Sequence, residues 1–71
     1  MKESILQKFG CRVREERLKK NLSQEELAER AGVHRTYIGM IERAEKNITL
    51  INVQKIALAL EIQISDLFYG L

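Results

Sequence analysis

The sequence predicts an all-α domain of five short helices. Three observations carry that reading. The 71 residues contain no proline. They are rich in Ala, Leu, Glu, Lys, Arg and Gln, all good helix formers, and few runs hold enough β-branched or aromatic residues to suggest strands. Apolar residues also recur at helical spacing between residues that start and stop helices. The length fits one small domain, 1–71, near the size at which a single core is only marginally sufficient.

The first helix is expected from about Glu3 to Lys20, with Ile5, Leu6, Phe9 and Val13 along one face. Gly10 lies inside it at a cost of roughly 1 kcal/mol against alanine, a cost that close packing would offset. Asn21 stops it. "SQEELAERAG" reads as a complete second helix, about 24–31: Ser23 caps it, Glu26 completes a Ser-x-x-Glu capping box, and Gly32 ends it. Leu27, Ala28 and Ala31 supply its buried stripe. Only Val33 and His34 precede the third helix, about 35–44, with His34 at its N-cap. So tight a connection makes the two helices cross steeply, as in a helix-turn-helix. "EKNIT" is a loop, Thr49 caps a fourth helix from Leu50 to about Glu61, and Ser65 caps a short terminal turn, "DLFYGL".

Composition narrows the function by exclusion. The one cysteine, Cys11, allows neither an intramolecular disulfide nor a cysteine-rich zinc site. One His and one Cys give no metal cluster, no Cys/His pair and no Ser/His/Asp arrangement. No glycine-rich phosphate loop is present. An enzyme is therefore not expected, nor a metal, a cofactor or a small-molecule ligand. With no signal segment and no long apolar run, a cytoplasmic protein without a membrane partner is the simple expectation. The net charge of +2 is modest but uneven. Residues 1–46 carry eleven Lys/Arg against eight Asp/Glu, and residues 47–71 carry one against two. A basic N-terminal part suggests that one end meets an anion, although solvated helix faces would give the same imbalance.

The third helix separates two kinds of side chain. At about 100° per residue, Ile38, Ile41 and Glu42 share one side, and Thr36, Met40 and Arg43 the other, with Gly39 at the border. Arg35 sits in the first turn, where it can reach past the helix end. A helix entering a major groove needs this layout, with first-turn residues on base edges and later ones on sugar and phosphate. Arg35, Thr36 and Met40 are therefore the candidate base readers, and Gly39 would let the helix approach the groove floor. Gln24 at the start of the second helix, and Tyr37, Arg43, Lys46 and Asn47 around the third, are candidate backbone contacts.

Glu42, on the inner side, needs a partner if it is buried. Phe9, Val13 and Arg17 are spaced i, i+4, i+8, so Arg17 extends the apolar face of the first helix. The spacing predicts an Arg17–Glu42 ion pair between the first and third helices.

"LSQEELAERAGVHRTYIGMIERAEKNITL" resembles the helix-turn-helix of the phage-repressor and Cro-like (XRE-type) family. Gln24, Ala28, Gly32, Val33, Ile38 and the Ile41–Glu42 step carry the likeness. Within that family, "HRTYIGMIERAEKNITLINVQKIALAL" is similar to the controller proteins of restriction-modification systems. The resemblance implies a compact lambda-repressor-like fold and a short homodimeric regulator on paired operators upstream of its own gene. It implies activation at low occupancy, with RNA polymerase as a further candidate partner, and repression at high occupancy. It also implies that Arg35 and Thr36 read bases, that Tyr37 and Arg43 act at the groove wall, and that Gln24, Lys46 and Asn47 hold phosphates. Ala44 departs from the family pattern, in which glycine is common after the "IER" run.

The C-terminal part, about 50–71, supports a dimer independently of that resemblance. Leu50, Val53, Ile56, Ala57 and Leu60 form the inner face of the fourth helix, with Ile51 and Leu58 opposite. Ile62, Ile64, Leu67, Phe68 and Leu71 follow, more apolar surface than so small a core needs. Ile51, Leu58, Ile62, Ile64, Leu67 and Phe68 are the candidate homodimer interface. A phage-type repressor and an antitoxin, with a toxin protein on the apolar surface, remain rival readings. The neighbouring gene would distinguish them.

Overall fold

Each helix start and stop in this fold is closed by a specific hydrogen bond. The computed structural model describes residues 4–71. Helix α1 (Ile5–Lys19) starts at Ser4, whose hydroxyl accepts from Gln7 N at 3.2 Å while Gln7 Oε1 accepts from Ser4 N at 2.8 Å. The expected start at Glu3 lies outside the described residues. Helix α2 (Gln24–Ala31) repeats the device with Ser23 and Glu26, at 3.0 and 2.8 Å. The hydrogen bond from the Ser23 backbone, joined by the one with its hydroxyl, holds the Glu26 carboxyl below its ordinary pKa. Helix α3 (Arg35–Glu42) starts at His34, whose Nδ1 accepts from Thr36 N at 3.1 Å. In α4 (Leu50–Leu60), Thr49 Oγ1 accepts from Asn52 N at 3.1 Å.

The last helix, α5 (Ile64–Phe68), begins earlier than its sequence suggested. Its N-cap is Gln63, whose N–H donates to Asp66 Oδ2 at 2.9 Å. Ser65 is therefore not a cap but an internal residue of α5. The Asp66 carboxylate, an anion close to the helix start, opens the helix one turn position ahead of it.

Helix stops rely on left-handed residues. Gly32 takes φ 72°, and Val33 N donates back to Ala28 O at 3.0 Å. Asn21, Ala44 and Glu61 do the same without glycine, at φ 58°, 61° and 59°. Ala44 explains why α3 ends at Glu42, two residues short of the expected boundary. Its reversal lets Glu45 N donate to Met40 O at 2.8 Å and closes the helix. A left-handed alanine costs about 1–2 kcal/mol.

Helix α1 packs on α3 and α5, α2 on α3 and α4, and α4 on α5. Phe9, Val13, Leu27, Ile38, Ile41, Val53, Ile56, Leu60 and Leu67 fill the space between them. Two residues expected inside are not there. Ile5 is 61% and Leu50 81% exposed. Both stand in the first turn of a helix, on the rim of an open cleft with Leu6 and Phe68. Arg12 fastens α5 to α1, its Nη1 donating to Asp66 O and its Nη2 to Tyr69 O, both at 2.8 Å. Phe9 and Phe68 pack beside it with ring centroids 5.4 Å apart.

Gly10 permits the closest of these contacts. A Cβ added there would lie 2.5 Å from Ile41 O and 2.9 Å from Glu42 O, so α1 rests directly on the last-turn carbonyls of α3. Gly10→Ala should therefore destabilise by roughly 1–3 kcal/mol despite the better helix propensity of alanine. Ala44→Gly should stabilise by about 1 kcal/mol by relieving its left-handed backbone. Thermal melts of the two variants should move in opposite directions. A Gly10→Ala protein melting at or above the parent would mean that α1 and α3 separate freely.

Candidate nucleic-acid interface

Three polar side chains from three helices meet beneath the helix-turn-helix. Arg17 of α1 meets Glu42 of α3 as a fork, Nε to Oε2 at 2.7 Å and Nη2 to Oε1 at 3.0 Å. Its third nitrogen, Nη1, donates to Leu22 O at 2.8 Å, in the turn that leads into α2. Gln24, the first residue of α2, donates from Nε2 to Glu42 Oε1 at 3.1 Å. The two charged side chains are only 9% and 4% accessible. Hydrogen bonding to Glu42 raises the Arg17 pKa further above its already high ordinary value, against the cost of its burial. Every nitrogen of the guanidinium thus has an acceptor, and Glu42 is shared by two helices, which fixes α3 against both.

The outer side of α3 is open. Arg17, Ser23, Gln24, Glu25, Arg35, Thr36, Gly39 and Arg43 line one concave surface. Arg35 and Thr36 are exposed at the start of α3, and Met40 is half-buried one turn on. Arg35 Nη1 donates to Glu25 Oε2 at 2.8 Å. Arg43 closes on Glu45 through Nε at 3.1 Å and Nη2 at 3.2 Å.

Gly39 differs from its expected open position. It is buried, with the Arg43 guanidinium and the Gln24 amide folded over it: a Cβ there would lie 3.0 Å from Arg43 Nη1 and 3.5 Å from Gln24 Oε1. Tyr37 is half-buried against α4, and its hydroxyl oxygen accepts from Asn52 Nδ2 at 3.0 Å. That leaves the hydroxyl proton free to be donated elsewhere. Lys46 is exposed in the loop after α3. Asn47 is also exposed but borders the other cleft, with Ile5, Leu6 and Ile48.

The structure therefore brings Gln24, Arg35, Thr36, Gly39 and Arg43 together and sets Asn47 apart. Glu25 and Asn52 were missed in the sequence. Each engages a residue on another helix, a relation that no single-helix periodicity reveals. On the C-terminal side Ile51, Leu58, Ile64 and Phe68 are exposed and Ile62 half-buried. Leu67 has no accessible surface. It belongs to the chain's own core and is removed from the candidate interface, because α5 turns that side chain toward α1 and α4. Among the described residues no three His, Cys, Asp or Glu side chains converge to hold a metal ion. No helix among them is long and apolar enough to cross a membrane.

The HTH_3 helix-turn-helix family model matches residues 13–67, which span α2, α3 and the Arg17–Glu42 pair. The chain belongs to this family of DNA-binding regulators. Among its relatives, the control protein C.BamHI of Bacillus amyloliquefaciens is 48% identical over 68 residues, covering 94% of this chain and 84% of that one. The control protein C.MunI of a Mycoplasma species is 39% identical over 62 residues, covering 86% and 84%. The crystal structure of the restriction-modification controller protein C.AhdI from Aeromonas hydrophila superposes with a TM-score of 0.91. It is 47% identical, with 93% of this chain and all of that one covered. The all-helical fold and the controller likeness expected from the sequence are both found.

The buried fork generates a sharp test. Arg17→Met should strand the Glu42 carboxylate and cost roughly 3–5 kcal/mol. Adding Glu42→Leu should recover much of that loss, since no uncompensated charge remains. Chemical denaturation of both variants measures the two differences. A single mutant as stable as the parent would mean that the pair contributes nothing to the fold.

Proposed function

We propose that this helix-turn-helix regulator is the controller of a restriction-modification system, binding an operator upstream of its own gene as a homodimer. The observation that carries the reading is the contrast between the two sides of α3. One side is locked to α1 and α2 through Glu42, and the other presents Arg35 and Thr36 at the leading turn. A helix held this rigidly can enter a major groove without being ordered on arrival, and its exposed first turn meets base edges. Arg35 would take guanine as a fork, with Thr36 and Met40 beside it. Gln24, Arg43, Lys46 and the free Tyr37 hydroxyl proton would hold phosphates, as would Asn47 if its loop bends toward the duplex. Gly39 would come into reach only when Arg43 and Gln24 swing away from it. RNA polymerase is a natural further partner for a regulator that activates.

Exposed Ile51 and Leu58 on α4, with Ile64 and Phe68 on α5 and half-buried Ile62 between, offer a surface for a second copy. A two-fold pair would present two copies of α3 to successive major grooves about 34 Å apart. Footprinting on DNA upstream of the gene should show paired protected sites. Arg35→Ala should lose operator preference, about 1–3 kcal/mol, while keeping most of its affinity for unrelated DNA. Equal weakening on operator and scrambled DNA would reduce Arg35 to a phosphate ligand. Leu58→Glu should remain folded by circular dichroism, sediment as a monomer and bind operator very weakly. A variant that stays dimeric would move the interface off the outer face of α4.

A further inference from the structure

Glu25 puts a negative charge where a surface meant for a polyanion should avoid one. It is the second residue of α2, and its side chain is 69% accessible. Its carboxylate holds Arg35 Nη1 at 2.8 Å across the gap between α2 and α3. A carboxylate in the first turn of α2 suits the helix start, but that role needs no contact with Arg35, and an exposed ion pair adds little stability of its own. Arg43 is also paired, but with Glu45, two residues away on its own segment. The Arg35–Glu25 contact alone ties a leading-turn arginine to another helix of the same cleft.

The geometry says what such a tie does. A guanidinium has five N–H donors in one plane. Glu25 takes one at Nη1, and Nε and Nη2 still present a parallel pair of donors. That pair matches two acceptors on an uncharged base edge, such as O6 and N7 of guanine. A phosphate fits the same pair in shape, but on Arg35 it must sit beside the negative Glu25 carboxylate or displace it. An arginine without that neighbour would bind phosphates of any sequence.

We propose that Glu25 is a specificity-determining residue of the DNA-reading surface: it orients the Arg35 guanidinium toward a base edge and denies it to phosphates. The inference rests on the reading of α3 as the helix that enters the groove. Glu25 is a repulsive element against the wrong ligand, which is half of how an interface discriminates.

The experiment uses the full chain and two duplexes of equal length. One is selected by the wild-type protein from a random-sequence pool, and the other is its scrambled counterpart. Glu25→Gln should tighten binding to the scrambled duplex by about threefold or more, since one repulsive charge is gone. It should lower the ratio of selected to scrambled affinity by about fivefold or more, within the range that one bidentate contact supplies. Glu25→Asp keeps the charge but draws the carboxylate back by one methylene. It should lower the ratio without the full gain on scrambled DNA. In an Arg35→Ala background, Glu25→Gln should no longer change the ratio, because its effect runs through that arginine. A Glu25→Gln protein whose ratio matches the wild type, while Arg35→Ala loses its preference, overturns the role of Glu25 and leaves the reading of α3 standing. An Arg35→Ala protein with undiminished preference overturns both.

Discussion

Arg17 sends a guanidinium from the last turns of α1 to a carboxylate on α3, with a third nitrogen on the carbonyl of Leu22. Pulled from water alone, either charge would be costly; together, with Gln24 satisfying the same carboxylate, they are fully partnered. No buried side-chain nitrogen or oxygen among the described residues lacks a partner. Apolar packing can tolerate a sliding helix, whereas a two-point fork cannot. The position of α3 relative to α1 and α2 is therefore determined more sharply than burial alone would require. Gly10 serves the same end from the apolar side, by letting the α1 backbone lie against the carbonyls at the end of α3.

Much of this was legible because it obeys a local period. Ser23, Glu26 and Gly32 bracket α2 with signals that sit three residues apart or at a helix end, and α2 occupies the span they mark. Arg17 lies i+4 from Val13 on a face that must turn inward, and Glu42 follows Ile38 and Ile41 on the inner side of α3, so their meeting could be read from spacing. Contacts that cross elements without a shared period were not legible. Glu25 with Arg35, Asn52 with Tyr37, and Arg12 with the backbone of α5 all depend on how helices are placed in space. Periodicity also misjudged helix ends and the shortest helix. It put Ile5 and Leu50 inside because it assigns a face without knowing whether another helix reaches that far. It left Leu67 outside because a five-residue helix has too few turns to reveal its buried side.

The cationic cleft and most of the exposed apolar surface lie on different helices. The arginines at the leading turn of α3 and just past its end share a cleft with the α2 start, while Leu50, Ile51, Leu58, Ile64 and Phe68 are exposed on α4 and α5, with Ile5 and Leu18 on α1. The shared core of Leu27, Ile38, Val53 and Ile56 separates them. Here the side chains of α3 that face the cleft and those of α4 that face solvent are distinct sets.

Arg12 has a consequence for the order in which the chain is assembled. Helix α5 has five residues, far too few to persist alone in water. It exists because Leu67 enters the core and because Arg12 caps its end from 54 and 57 residues away. Contacts that close so long a loop cost more chain entropy than those between neighbours in sequence such as α2 and α3. During synthesis the last turn also leaves the ribosome after everything it must dock on. Docking of α5 therefore waits until α1 and α4 are both present to receive it, whatever the order in which the earlier helices settle.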